Sequence, residues 1–206
     1  MTGFIDAVTY LRYGHVFVAN MTGNVVLLGF GIAGSHDVSI SGMLLAMAGF
    51  LGGALTGGFL NERLAQHRGN LVVKSTMIKV VLLCTATVFA AVGISPYAII
   101  PLLGLTMGIQ NSVARKLAIP DITTTVLTMT LTGIMADSSI VGGTNPRLGR
   151  RIGAVATMFV GALAGASLVL YFGIPYALAA ATTLMLSVGV AAYVLGRNNP
   201  VWVRGA

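Results

Sequence analysis

The sequence predicts an all-α polytopic membrane protein, with about six transmembrane helices plus two broken or re-entrant polar segments in a 3+3 inverted repeat. Three observations carry this expectation. Hydrophobic residues make up 56% of the 206-residue chain and charged residues only 8%, whereas a water-soluble domain keeps roughly a quarter of its residues charged. Lipid is therefore the solvent. Several apolar stretches approach the roughly 20 residues that a helix needs to cross a bilayer. They are rich in Gly, Ala and Thr and lack the ten-residue alternation of a membrane β-barrel. Finally, the basic residues fall at opposite ends of matching segments in the two halves, as inversion under the positive-inside rule requires.

Taken in order, the chain opens with a short apolar piece at 1–11 and a second at 16–34 that contains "NMTGN". A Gly-rich segment (40–60) and a strongly apolar span (75–94) complete a first repeat, 1–94. The second repeat, 95–206, begins after Ser95-Pro96 with 97–114, continues through a Thr-rich segment (121–141), and closes with 152–172 and 175–196. "GFIDAVTYL" from Gly3 aligns with "GIQNSVARK" from Gly108, and "ANMTGNVVLLG" from Ala19 aligns with "TVLTMTLTGIM" from Thr125. Gly49, Gly53 and Gly57 align with Thr157, Gly161 and Gly165. Three matches in one order, at offsets of 105 to 108, indicate an internal duplication.

Charge supplies the inversion. Arg63, Arg68, Lys74 and Lys79 follow the small-residue segment of the first half, whereas Arg147, Arg150 and Arg151 precede its counterpart. Inversion requires an odd number of crossings per half, so the second piece of each half is expected not to cross fully. Both termini are then cytoplasmic. Arg115, Lys116, Arg197 and Arg204 join the inner face with the seven residues just named, and Arg12 alone falls outside. The net charge of +7 is thus read as topology rather than nucleic-acid binding.

The polar residues inside these apolar runs are the candidate site. Asn20, Thr22 and Asn24, with Gly23 between them, suit a broken helix whose backbone groups must be satisfied at membrane depth. Asn20 is a natural cap for a helix beginning at Met21, leaving its positive end free to face a cavity. In the second half Thr123, Thr124, Thr125, Thr128, Thr130 and Thr132 offer hydroxyls, with Asp121 at the cap position. Two such ends meeting near the midplane would form a site at the repeat interface, as inverted-repeat transporters build theirs. The alternative use of the same residues is hydrogen bonding between packed helices, at about 1 kcal/mol each. Asp6, aligned with Asn111, is an intramembrane carboxylate suited to binding a cation, carrying a proton or pairing with Arg12. Asp137 lies near the expected inner exit of the second polar segment.

Gly49, Gly53 and Gly57 share one helix face, as do Gly161 and Gly165, and suit close helix packing within the fold or across a homodimer. Cys84 reads as a small packing residue. The methionines are scattered, and His15, His36 and His67 do not cluster, so no metal or other cofactor is indicated. No GxSxG, HExxH, P-loop or Cys-His arrangement occurs, and nothing marks the chain as an enzyme.

"GFIDAVTYLRYGHVFVANMTGNVVLLG" resembles the opening of the YoaK family, bacterial inner-membrane proteins defined as a domain of unknown function. "MGIQNSVARKLAIPDITTTVLT" is similar to that family's second block. The resemblance implies a six-span bacterial protein described as a transporter, without an assigned substrate. Family members usually carry more apolar sequence ahead of Gly3, which implies a shortened first helix here. Met129 is a second departure, in the Thr-rich block.

The expected function is therefore secondary transport of a small polar solute or anion at a site lined by Asn20, Thr22, Gly23, Asn24, Asn111, Thr128 and Thr130. Asp6 and Asp137 are the candidate coupling carboxylates. The expected partners are the lipid bilayer, the solute and a second copy of the chain. An aquaporin-like pore and a non-transporting scaffold are the alternatives: saturable, ion-dependent uptake marks the transporter, passive flux the pore, and altered assembly without flux the scaffold.

Overall fold

The computed structural model describes residues 1–64, 67–117, 127–144 and 146–196. Helices form along the apolar runs. They are α1 (Thr2–Arg12), α2 (Met21–Ile32), α3 (Ile40–Leu64), α4 (Arg68–Val92), α5 (Pro96–Leu117), α6 (Leu127–Ala136), α7 (Leu148–Tyr171) and α8 (Ile174–Gly196). Gly93 ends α4 in the left-handed conformation (φ 79°) and Pro96 opens α5, the usual Gly-stop and Pro-start asymmetry. No strand occurs among the described residues.

The glycines decide which helices meet. A Cβ on Gly49 would run into the backbone of Pro101, one on Gly53 into Leu105, and one on Gly57 into Ser112 and the Ile109 carbonyl. The partners ascend with the glycines, so α3 and α5 run parallel in backbone contact. Gly108 of α5 answers from the other side, pressed on Phe50 and Ala54. In the same way Gly3 of α1 lies on Met158 and Ala162 of α7, and Gly165 of α7 on the Phe4 carbonyl. The Arg12 guanidinium then reaches the Val169 carbonyl at 3.1 Å, so α1 and α7 are also parallel. The α4–α8 seam is antiparallel, with Thr76 against Gly189 and the Thr87 and Thr182 hydroxyls 3.2 Å apart.

Because α3 and α4, α4 and α5, and α7 and α8 follow one another closely in the chain and pack together, these relations fix the directions of six helices. Helices α3, α5 and α8 run one way; α1, α4 and α7 run the other. One end of the bundle therefore gathers Arg63, Arg68, Arg115, Lys116, Arg147, Arg150 and Arg151, with Arg12 at the opposite end.

The core is apolar and central, built from Ile5, Val8, Met43, Leu83, Ile100, Leu103, Met107 and Leu178 among others. The outer surface is apolar too: Leu51, Leu55, Phe59, Val88, Phe159 and Leu170 are all exposed. Exposed apolar patches of this extent would drive aggregation in water, and they match a lipid solvent.

Five of the described helices are long and apolar enough to cross a membrane, and two expectations change here. α1 has 11 residues, about 16 Å of helix against a hydrocarbon core of roughly 30 Å, and lies beside only the second half of α7. Lys79 is not in a basic loop: α4 begins at Arg68, seven residues before the expected span, and Lys79 is buried near its middle with no ion-pair partner among the described residues. Cys84, expected to pack inside, is exposed on the outer face of α4. Asp121, Thr123, Thr124, Thr125, Arg197 and Arg204 lie outside the described residues.

Candidate functional site

Residues 13–20 form a strap that returns the chain from the end of α1 to the start of α2. Gly14 makes the turn (φ 73°), packed so closely on Ser39 that a Cβ would lie 2.8 Å from that residue's own Cβ. Three side chains then fix the strap. Oδ1 of Asp6, buried in α1, accepts the Val18 and Ala19 N–H groups at 2.9 and 2.8 Å. Asn24, fully buried in α2, accepts the Phe17 N–H at 2.9 Å and donates to the Phe17 carbonyl at 2.6 Å. Asn20 caps α2 by accepting the Gly23 N–H at 3.2 Å, a contact of the kind worth about 1 kcal/mol. Tyr10 stacks on Phe17, ring centroids 4.8 Å apart.

The result is a short helix, α2, whose capped N-terminus opens into a cavity of about 650 Å³. Asn20, Met21, Thr22 and Gly23 supply one wall, Leu127 and Thr128 of α6 another, and Phe50, Met158, Thr2, Tyr10 and Phe17 enclose the rest. Asn20 and Thr22 are exposed and line the space, with Asn20 Oδ1 taken by the Gly23 N–H. Among the described residues, none that lines the cavity carries a full charge. Chemically, the site offers hydroxyl and amide groups plus the positive end of a helix dipole, an environment for neutral polar solutes or small anions.

A family model described as a protein of unknown function (DUF1275) matches residues 1–191. The chain belongs to the DUF1275 family. The UPF0700 transmembrane protein YoaK of Bacillus subtilis is 37% identical over 144 residues, covering 66% of this chain and 62% of that protein. The match thus spans less than two thirds of the relative's length. No solved structure matches this fold. With a transmembrane relative and five spanning-length apolar helices, this DUF1275 chain is a multi-pass membrane protein.

Its expected site residues separate into two groups. Asn20, Thr22, Gly23 and Thr128 meet at the cavity. Asn24, Asn111 and Thr130 are not on its wall: Asn24 clamps the strap, Asn111 donates to the Met107 carbonyl at 3.0 Å, and Thr130 is buried. Asp6 holds the strap rather than pairing with Arg12. Asp137 pairs with Arg151 at 2.7 Å, and that guanidinium also bonds the Gly133 carbonyl. This pair lies away from the cavity. Gly49, Gly53, Gly57, Gly161 and Gly165 serve packing inside the chain. Tyr10, Phe17, Phe50 and Met158 were missed, since nothing in an apolar run separates a cavity wall from a core. Phe50 and Met158 do stand 108 residues apart, the offset of the Gly53–Gly161 match, so a register argument would have linked them.

Proposed function

We propose that this protein is a secondary transporter of a small polar solute or anion, acting at the cavity between the N-terminal ends of α2 and α6. The observation that carries the reading is that the cavity is walled by residues paired across the two halves. Met21 and Leu127 stand 106 apart, as do Thr22 and Thr128, and Phe50 and Met158 stand 108 apart. Offsets of 105 and 108 relate helix contacts: Gly108 on Phe50 and Ala54 corresponds to Gly3 on Met158 and Ala162, and Gly57 on Ile109 corresponds to Gly165 on Phe4. Residues 1–94 and 95–206 are on this reading inverted repeats, supported by the opposed directions of α1 and α5, α3 and α7, and α4 and α8. Midplane sites at repeat interfaces suit alternating access. On this reading the positive-inside rule puts the basic end, where α8 finishes, in the cytoplasm of a bacterial inner membrane. A homodimer would supply the scaffold against which a unit of this size moves.

The short α2 and α6 (12 and 10 residues) also suit a pore built from half-helices, and kinetics separate the two. Purified protein in liposomes is tested for flux of glycerol, urea and formate by light scattering. Saturation with concentration is expected. Thr22→Val with Thr128→Val should lower flux about thirtyfold, because losing two hydrogen bonds worth about 1 kcal/mol each has that effect, while thermal unfolding stays unchanged. A flux that rises linearly without saturating selects the pore. Absence of flux for every solute removes both readings.

A further inference from the structure

We propose that Asp6 is a proton-binding site that sets the hold of the 13–20 strap, and so couples proton occupancy to the shape of the cavity. The proposal rests on the transport reading for its purpose but not for its test. Only one of the two Asp6 oxygens is used: Oδ1 takes both strap N–H groups, and Oδ2 is buried with no hydrogen-bond partner. Asp6 stands in the wall of a second cleft, between α1 and α7, of about 410 Å³. That cleft shares Tyr10, Phe17, Asn20 and Met158 with the central cavity, so the Tyr10–Phe17 stack separates the carboxylate from the solute space.

The occupant of the free oxygen follows from the walls. An inorganic cation needs about six oxygen ligands, and the α7 side offers Met158, Phe159, Ala162 and Leu163. Among the described residues no counter-ion faces Asp6 from a packed element; the α7 cations, Arg150 and Arg151, stand in its first turn, Arg151 paired with Asp137. On α1 the ionisable groups are the Met1 amine, Tyr10 and Arg12, whose guanidinium is engaged with the Val169 carbonyl. On the strap, Tyr13 is buried and His15 contacts the Asp37 carbonyl. α2 and α8 carry no Asp, Glu, Lys, Arg or His, and α5 meets α1 through Gln110 and Thr2. A charge sealed in apolar surroundings without a partner is costly, and a proton removes it.

The consequence is mechanical. Hydrogen bonds to an ionised carboxylate are roughly twice as strong as neutral ones. Protonation therefore loosens the strap that ends in Asn20, the cap residue on the cavity wall. The corresponding position of the other half is Asn111, an uncharged isostere, so Asp6→Asn is a substitution this architecture already accommodates.

The test follows two signals in the purified full-length protein from alkaline to mildly acidic pH: the infrared C=O stretch of a neutral carboxylic acid, and amide exchange across 13–24. The expected result is a neutral-acid band that grows on acidification and is missing from Asp6→Asn. Strap exchange, corrected for its intrinsic pH dependence, should speed up about tenfold in the wild type and stay fast at every pH in the variant. The wild-type series stands alone if the variant folds poorly. No acid-dependent band, or strap exchange indifferent to pH, overturns the proposal. So does protection of the strap by tetraphenylphosphonium in the wild type but not in Asp6→Asn, which would make the occupant an organic cation. Flux with a pH-indifferent strap defeats this proposal alone; a responsive strap without flux defeats the transport reading alone.

Discussion

Gly53→Ala and Gly108→Ala are each expected to destabilise the protein by about 3 kcal/mol, the upper end of the overpacking range. A single methyl has such an effect because of what it meets. At Gly53 the new Cβ would collide with the Leu105 carbonyl, and at Gly108 with the Phe50 carbonyl. Both are helix backbone, which cannot swing aside like a side-chain tip. Relief requires α3 and α5 to separate along their length, opening the contacts at Gly49 and Gly57 as well. Without a hydrophobic force between helices in lipid, close packing of this kind supplies much of the association energy. Gly52→Ala and Gly58→Ala are the controls: both positions have open space around them, and Ala is the better helix former by about 1 kcal/mol. They should unfold at or above the wild-type temperature in detergent. Equal melting of all four variants would mean that α3 and α5 do not touch as described.

The glycine face of α3 was readable because spacing alone encodes it, but its partner α5 was not. Glycines four residues apart fall on one helix face whatever the surroundings, and the opposed basic residues signalled direction in the same local way. Depth was less readable. Lys79 stands only four residues into an apolar window opening at 75, which reads as the inner end of a span, but α4 starts at Arg68 and so places Lys79 near its middle. The use of each polar side chain was the least legible. Asn20 and Asn24 are chemically identical and four residues apart, yet one faces the cavity edge and the other is sealed against the strap. That difference depends on where residues 13–19 return, which Asp6 decides from the neighbouring helix. Short-range pattern cannot carry such information.

Asn24→Ala should therefore act on stability first and on flux only through it. The Asn24 amide gives the Phe17 backbone both an acceptor and a donor. Its removal leaves a part-buried N–H and carbonyl without partners, at about 1–3 kcal/mol for each group left unsatisfied. A loss of about 2–4 kcal/mol in detergent unfolding is expected, with faster amide exchange at Phe17. Asn24→Asp sharpens the test. Ionised, it presents a charge to the Phe17 carbonyl and loses the donor, so it should be at least as unstable as Asn24→Ala. Neutralised in acid, it again offers one donor and one acceptor, and stability should recover as pH falls, in the sense opposite to ordinary acid denaturation. Thr22→Val provides the contrast, lowering flux without moving the melting temperature. If Asn24→Ala melts like the wild type while flux collapses, the side chain acts on the solute itself, and the clamp described for Phe17 is not its principal role.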